Sequence, residues 1–483
     1  MILSDLLYKI PLQSVAGKTD SEIKNIIFDS RKVENGSLFV AISGTQVDGH
    51  NFIETAIEKG ATAILCEKLP EQLHESVTYI QVENSARAMG FAASNFYGNP
   101  SSKLHLIGVT GTNGKTSTVT LLFGLFRRLG HRCGLLSTVQ NQIEDEIIES
   151  THTTPDSVEI NRLLSEMLKK GATYCFMEVS SHSVVQERIA GLTFRGGIFT
   201  NITHDHLDFH GTFENYIKAK KGFFDQLPKT AFALVNTDDK NGKVMLQNTA
   251  ARKETLSLNS IGTFKGKILA NTLFGLEMDI DGKQVWFKLI GAFNAYNLLG
   301  VYGSAVLMGE DPDEVLTQLS GIKPPPGRFE QVVSENEIVG IVDYAHTPDA
   351  LENVLKTIND IKEGNQKVIT IVGCGGDRDK TKRPIMAKIA TELSDTVILT
   401  SDNPRTEDPI EILEQMQAGV SFANKKKTET IEDRRAAIQK AVSLAKPHDI
   451  ILVAGKGHED YQIIGKTKHH FDDREELRKA YEL

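Results

Sequence analysis

Only four of the 483 residues are cysteine, and Cys66, Cys133, Cys175 and Cys374 form no Cys-x-x-Cys pair. That spacing excludes a disulfide framework or a cysteine zinc site and fits buried thiols in a reducing compartment. No apolar run reaches membrane-spanning length, so no membrane partner is expected. The start, Met1-Ile-Leu-Ser-Asp-Leu-Leu7, lacks a basic region followed by an apolar core. No secretory signal is therefore expected, and the expected location is cytoplasmic. Basic charge is also scarce: 54 Lys and Arg against 63 Asp and Glu leave a formal net charge of −9. That balance argues against a nucleic-acid binder, which needs a basic face. A small anionic substrate stays open, because a local basic pocket disappears in a total. Internal repeats and low-complexity tracts are absent. What remains, 40% apolar and 24% charged residues, describes a soluble globular chain. Its length suits about three domains of ~150 residues.

The most informative stretch present is Gly108-Val-Thr-Gly-Thr-Asn-Gly-Lys-Thr-Ser117. It follows an apolar segment over 104–109 and precedes a helix-period pattern of Val119, Leu122, Phe123, Phe126 and Leu129. Strand, glycine turn and helix N-terminus form a phosphate cradle, in which backbone N–H groups and the helix dipole hold an anion. Lys115 adds a charge for the β- and γ-phosphates, and Thr116 offers a hydroxyl to Mg²⁺. The spacing is not the usual Gly-x4-Gly-Lys-Ser/Thr: Val109 stands where that motif has its first glycine, and Gly111 sits closer in. ATP is the expected ligand, and a tight glycine turn with a surface lysine is the plainer reading.

Residues 1–100 read as a small α/β unit, with strands over 37–41 and 61–66 and a helix over 51–59. Residues 101–325 alternate strands (173–179, 197–201, 231–236) with helical patterns, which implies parallel β-α-β units. Near 265–289 short alternating strands suggest an antiparallel extension. The run Lys323-Pro-Pro-Pro-Gly327 marks a boundary, since three prolines continue neither a helix nor a central strand. Residues 326–483 carry three strand-then-loop units, over 367–372, 396–400 and 449–453. They read as a second doubly wound unit, whose ligands bind at the carboxyl ends of strands.

Four clusters carry chemistry. Met177-Glu-Val-Ser-Ser-His182 ends a buried strand with a carboxylate, a natural Mg²⁺ ligand in a phosphate site; the serines serve equally as helix caps. The stretch 200–210 holds His204, His206 and His210 with Asp205 and Asp208, and reads better as a second Mg²⁺ position than as a zinc site. Tyr216-Ile-Lys-Ala-Lys-Lys-Gly222 reads, on its residues alone, as a solvated basic face. In the last region, Gly376-Asp-Arg-Asp-Lys-Thr-Lys-Arg-Pro384 and Asp402-Asn-Pro-Arg405 bring guanidinium groups to strand ends. Arginine grips carboxylates in a fork that lysine cannot copy, which suits a zwitterionic amino acid; a surface turn with an incidental ion pair is the bland alternative.

Taken in order, these motifs resemble the Mur ligases of peptidoglycan synthesis. The resemblance rests on 110–116, Glu178-Val-Ser-Ser-His182, 200–208, Gly291-Ala-Phe-Asn-Ala-Tyr-Asn297, Gly327-Arg-Phe-Glu330, Asp343-Tyr-Ala-His346 and Asp402-Asn-Pro-Arg405, and it covers nearly the whole chain. It implies an α/β protein of three domains: a small N-terminal UDP-substrate domain, a central P-loop-type parallel-sheet ATPase domain and a C-terminal Rossmann-like amino-acid domain. It further implies an ATP-dependent amide ligase working through an acyl phosphate, with a UDP-N-acetylmuramoyl dipeptide and meso-diaminopimelate as substrates, and a monomer.

Residue roles implied by the resemblance are these. Gly111, Thr112, Asn113, Gly114, Lys115, Thr116 and Ser117 would bind ATP, with Asn294 a further nucleotide contact. Ser30, within Asp29-Ser-Arg31, would meet the uridine nucleotide beside the loop Gly44-Thr-Gln-Val-Asp-Gly49. Thr153, Thr154, Ser180, Gln186 and Arg188 would contact the dipeptide substrate. Lys220 would carry a CO₂-derived carbamate and, with Glu178 and His206, hold one Mg²⁺, while Thr116 and Glu178 hold another. Lys115, Glu178, His206 and Lys220 thus form the implied catalytic set. Arg383, Asp402, Asn403, Pro404, Arg405, Gly455 and Glu459 would receive diaminopimelate, and lysine-adding relatives generally lack an arginine at the position of Arg405. A folylpolyglutamate synthetase on the same plan, a P-loop NTPase and a non-catalytic nucleotide binder are the rivals. The full N-terminal unit, the Asp-Asn-Pro-Arg loop and the intact catalytic set speak against them in turn.

Overall fold

The computed structural model describes residues 1–44, 47–148, 150 and 152–482. Thr45 and Gln46 of the expected uridine loop lie outside the described residues. The first sheet has five strands in the order Ser14–Ala16, Thr78–Gln81, Ala61–Cys66, Ser37–Val40, Asn25–Ile27. All neighbours are parallel except Ser14–Ala16 against Thr78–Gln81. Ser37–Val40 is buried at every residue, the continuous pattern of a strand covered on both faces. One cover is the helix Ser85–Phe96, started by Asn84, whose side chain accepts from the Arg87 N–H. The expected helix over 51–59 is a 3₁₀ turn, Gly49–Phe52, followed by the helix Ile53–Glu58.

The second sheet has eleven strands. Its parallel centre runs Arg252–Ser257, Phe232–Asn236, Gly196–Phe199, His105–Thr110, Tyr174–Glu178, Cys133–Leu136. His105–Thr110 therefore lies between Tyr174–Glu178 and Gly196–Phe199. The phosphate loop, the 178–182 segment and the 200–206 segment leave the carboxyl ends of three adjacent strands, where open α/β sheets bind ligands. The anticipated antiparallel extension is present as Phe264–Thr272, Gly275–Ile280 and Lys283–Phe287. Two strands not foreseen, Asn141–Ile143 and Glu146–Ile148, extend the other edge.

Helices Ala292–Leu307 and Pro312–Ser320 pack on this sheet through Leu298, Val301, Val315 and Leu319. Beyond the prolines a third sheet takes over, in the order Glu330–Val333, Val339–Asp343, Ile450–Ala454, Val368–Val372, Thr396–Leu399, Thr428–Thr430. It is parallel except at Glu330–Val333. A separate hairpin, Tyr461–Ile464 with Thr467–His470, follows Ile450–Ala454. Among the described residues no helix is long and apolar enough to cross a membrane.

Candidate functional site

The phosphate loop is shaped by its neighbours. Gly114 has φ +86°, and a Cβ there would lie 2.5 Å from Asn297 Oδ1, so both conformation and space call for glycine. The strand end at Thr200 and Asn201 fixes the turn. Thr112 N–H donates to the Asn201 carbonyl (2.8 Å), Asn113 N–H to Asn201 Oδ1 (3.0 Å), and the Thr200 hydroxyl to the Asn113 carbonyl (2.6 Å). The helix Lys115–Arg128 then points its N-terminus at the turn. Lys115 Nζ folds back to donate to the carbonyls of Gly111 (3.0 Å) and Thr112 (2.9 Å). Burial holds its pKa below the ordinary lysine value, partly offset by Glu178 and Asp205.

Around this loop a lobe of about 620 Å³ is lined by Lys115, Thr116, Glu178, His206 and Lys220, the whole implied catalytic and metal set. Glu178 is fully buried, and its carboxylate accepts from Thr138 N–H (2.8 Å) and the Thr138 hydroxyl (3.2 Å). Of the three lysines on the helix Phe213–Asp225, Lys218 pairs with Glu214 in solvent and Lys221 with Asp225. Lys220 alone turns inward at 1% exposure, over the Tyr216 ring, and donates to the Gly111 carbonyl at 2.7 Å. Burial, reinforced by Lys115, pushes its pKa well below the usual lysine value. The solvated-face reading therefore fails for this one residue, because the helix is amphipathic and position 220 faces the sheet with Phe223 and Phe224.

The dipeptide positions lie on the same wall: Thr153, Thr154, Ser180 and Arg188 line the lobe. Thr154 donates to the Glu178 carbonyl (2.8 Å), and Arg188 donates to the Thr154 carbonyl (2.7 Å). Gln186 caps the short helix Ser181–Val185 and does not line the lobe. Gly111, Ser117 and Asn294 lie just behind it; Asn294 donates to the Ile290 carbonyl and accepts from Asn297. Ser30 sits half-buried in the first unit, away from this cavity.

A second lobe, about 510 Å³, is formed by strand-end loops of the third sheet, including Asp402, Asn403, Arg405, Gly455 and Glu459. Pro404 is behind the wall. At Gly455, φ is +116° and a Cβ would meet Asp402 Oδ2 at 2.6 Å. The two lobes share Asp205, His206, His346, Arg378, Arg405 and Glu459, so they form one continuous cavity. His206 and Arg405, both shared by the two lobes, hold positive φ (53° and 52°), costly backbone at the junction. Arg405 Nη1 donates to the Gly376 carbonyl at 2.9 Å.

Arg383 requires a correction. It is 0% exposed and absent from the cavity wall, its guanidinium spent on Glu407, Gln415 and the Gly375 carbonyl. A residue on the buried face of the helix Lys382–Leu393 cannot also reach the cavity. Arg378, five residues earlier in the same basic run, lines both lobes instead. The run was visible in the sequence, but which of its arginines faces inward was not.

The third sheet also reaches across to the phosphate loop. Arg328 Nη2 donates to Thr116 Oγ1 (3.2 Å). Asp349 Oδ2 accepts from Asn113 Nδ2 (2.8 Å) and Thr203 Oγ1 (2.9 Å). Burial raises the Asp343 pKa to about 6 despite Arg328 nearby, and its Oδ2 accepts from the Phe329 N–H. Arg328 and Asp343 lie in motifs the sequence displays without roles attached; Thr138 and Asp349 carried no signal.

Known proteins match along the whole chain. Residues 22–97 match the model described as Mur ligase family, catalytic domain; residues 109–305 match Mur ligase middle domain; residues 327–457 match Mur ligase, glutamate ligase domain. The UDP-N-acetylmuramoyl-L-alanyl-D-glutamate--2,6-diaminopimelate ligase of Cytophaga hutchinsonii is 60% identical over 475 residues, 98% of each chain. The protein of the same name from Bacteroides fragilis is 56% identical over the full length of both. A solved structure of a ligase of that name superposes with a TM-score of 0.71 at 32% identity, covering 100% of this chain and 99% of the other. A Mycobacterium tuberculosis folylpolyglutamate synthase shares the fold, with a TM-score of 0.61 at 18% identity over 75% of this chain and 91% of its own. The chain belongs to the Mur ligase family.

Proposed function

We propose that the protein joins meso-diaminopimelate to UDP-N-acetylmuramoyl-L-alanyl-D-glutamate at the expense of ATP, with units meeting near residues 100 and 325. The observation that carries this reading is the single cavity in which a phosphate cradle opens onto a lobe walled by Arg378, Arg405, Asp402 and Glu459. Phosphoryl transfer to a carboxylate and attack by an amine require those two environments side by side. The names of relatives 60% and 56% identical along the chain support the same substrates.

In the first stage the loop N–H groups and Lys115 bind the triphosphate, Lys115 exchanging its two loop carbonyls for phosphate oxygens. Thr153, Thr154, Ser180 and Arg188 present the D-glutamate α-carboxylate, which takes the γ-phosphoryl group. In the second stage Asp402 and Glu459 hold an ammonium of the incoming amino acid, and Arg378 and Arg405 grip carboxylate. The free amine attacks the acyl phosphate and phosphate leaves. Arg328 and Asp349, reaching from the third sheet to the phosphate loop, keep water out between the stages.

The donor set suits Mg²⁺ on one condition. Among the described residues no three His, Cys, Asp or Glu side chains gather to hold a metal. Glu178 and the neutral His206 need a third ligand, an anionic oxygen, and an unmodified Lys220 can only donate. As a carbamate, formed when the neutral Nζ adds CO₂ and releases a proton, Lys220 would complete the set, with Thr116 serving a second ion. Magnesium when bound supplies charge neutralisation at the transferring phosphoryl oxygens. The low pKa of the buried Lys220 favours the neutral amine that carbamylation needs.

The test is phosphate release from ATP in the presence of the UDP-linked dipeptide, with meso-diaminopimelate, L-lysine or no amino acid. Release only with diaminopimelate is expected. Release indifferent to dipeptide and amino acid would replace the ligase with an NTPase.

A further inference from the structure

Lys456 is one of the few fully buried lysines, at 0% exposure, and lies outside both lobes, one residue from Gly455. A buried ammonium must be paired to be tolerated. Its Nζ donates to Asn403 Oδ1 (3.2 Å), Glu459 Oε2 (3.2 Å) and the Tyr461 carbonyl. It thereby ties together the Asp402–Arg405 loop, the loop after Ile450–Ala454 and the hairpin beginning at Tyr461.

The pattern fixes the chemistry of the wall in front of it. Asn403 Oδ1 accepts from both Lys456 and the Ile463 N–H (2.8 Å), which sets the amide so that Nδ2 donates to Glu459 Oε2 (2.8 Å). Glu459 Oε2 is thus doubly occupied. Oε1 accepts no hydrogen bond among the described residues, and Glu459 lines both lobes. Asp402, a buried carboxylate, faces the same lobe beside the half-buried Glu459. Two neighbouring carboxylates, one buried and one half-buried, resist ionising together without a cation. Arg434 is already paired with Asp473 through two bonds, and among the described residues the cation in ion-pair contact with Glu459 is Lys456, at 3.2 Å.

We infer that Lys456 is a positioning residue for amino-acid recognition: it never touches substrate, but orients Asn403 and keeps Glu459 an acceptor for the substrate ammonium. The charge effects agree. Burial alone would raise the Asp402 pKa, yet Lys456 and Arg434 hold it low; Glu459 is raised by burial and Asp402, and Lys456 opposes that rise. Without Lys456, that rise would lose the cation that opposes it, and Asn403 and Glu459 would lose the donor that fixes them.

This rests on the second lobe receiving the amino acid, so wild-type turnover of meso-diaminopimelate is measured first; its absence would overturn the proposed function, independently of Lys456. With turnover established, Lys456→Met is expected to raise KM for diaminopimelate about 10-fold or more, the loss of one charge-assisted hydrogen bond. KM for ATP and for the UDP-linked dipeptide should stay within about twofold. Adding Glu459→Gln to Lys456→Met should cost no more than either change alone, since both remove the same acceptor. Lys456→Gln, which keeps a donor without the charge, should raise the same KM alone. An unchanged KM for diaminopimelate, parallel rises in all three KM values, or a chain that unfolds with both substitutions would overturn the inference.

Discussion

The two lobes of the cavity solve opposite problems with opposite materials. The lobe around the phosphate loop is built from backbone N–H groups, the half-buried Lys115, the buried Glu178 and the buried Lys220, mostly on segments leaving three adjacent strands of one sheet. The lobe proposed for the amino acid is built from side-chain forks and an Asn403–Lys456–Glu459 network spread over several loops and a hairpin. A contiguous loop can bind what every nucleotide shares. Telling one amino acid from another takes charges whose positions depend on residues far apart in sequence, and each such group needs a partner behind it.

The largest expected effect breaks the phosphate lobe. Lys220→Ala should lower kcat by about 1,000-fold or more while circular dichroism stays native, since the reacting phosphoryl group loses its nearby charge control. Activity within a few-fold of wild type would remove Lys220 from the site. Next, Arg383 and Arg378 should separate structure from recognition. Arg383→Ala removes a buried guanidinium from the half-buried Glu407 and from Gln415 and should cost about 2 kcal/mol of stability, read in urea unfolding. Arg378→Ala should leave the urea midpoint in place and raise KM for diaminopimelate. The reverse assignment of effects would restore Arg383 to the pocket.

The lobes are also joined, and Asp349→Ala probes that joint. Losing the bonds to Asn113 and Thr203 should lower kcat about 10-fold, with ATP hydrolysis uncoupled from amide formation rising in product ratios. Unchanged coupling would show the contact to be incidental. The smallest effect is that of pH on stability. Burial holds His182, His210 and His346 at about 4 and His458 at about 3, against an ordinary 6.5. Between pH 6.5 and 4 the unfolded chain takes up protons on these rings that the folded chain refuses, so stability falls as pH falls. Asp343, raised to about 6, works in the other direction over the same window, as do the raised Glu459 and His470, but the four lowered rings outnumber them. The urea midpoint should therefore be lower at pH 5 than at pH 7.5, and a higher one would contradict this balance.

How much was legible follows the same division. The phosphate loop and Glu178 were readable because each sits at the end of an apolar strand, and His206 because histidines and aspartates crowd the stretch 204–210. The three-residue strands Ser14–Ala16 and Asn25–Ile27 were not, being shorter than any window in which periodicity can register. Cys133–Leu136 and Arg252–Ser257 escaped for related reasons, the first short and the second opening on three charged residues. In the amino-acid lobe, Arg405 and Glu459 were legible through motifs. Arg378 was confused with Arg383 because only the seating of the helix Lys382–Leu393 decides which guanidinium is buried. Lys456 and Asp349 act through partners 53 and 236 residues away, a distance that no local pattern encodes.

The central claim is that guanidinium groups at the junction read the second carboxylate that distinguishes diaminopimelate from lysine. It is tested most directly by the ratio of kcat/KM for meso-diaminopimelate to that for L-lysine, in the wild type and in Arg405→Ala. The account predicts that the ratio collapses by about 100-fold, the value of a lost charged contact, with the lysine term itself unchanged or raised. A ratio that survives the substitution, with both terms falling together, would contradict it.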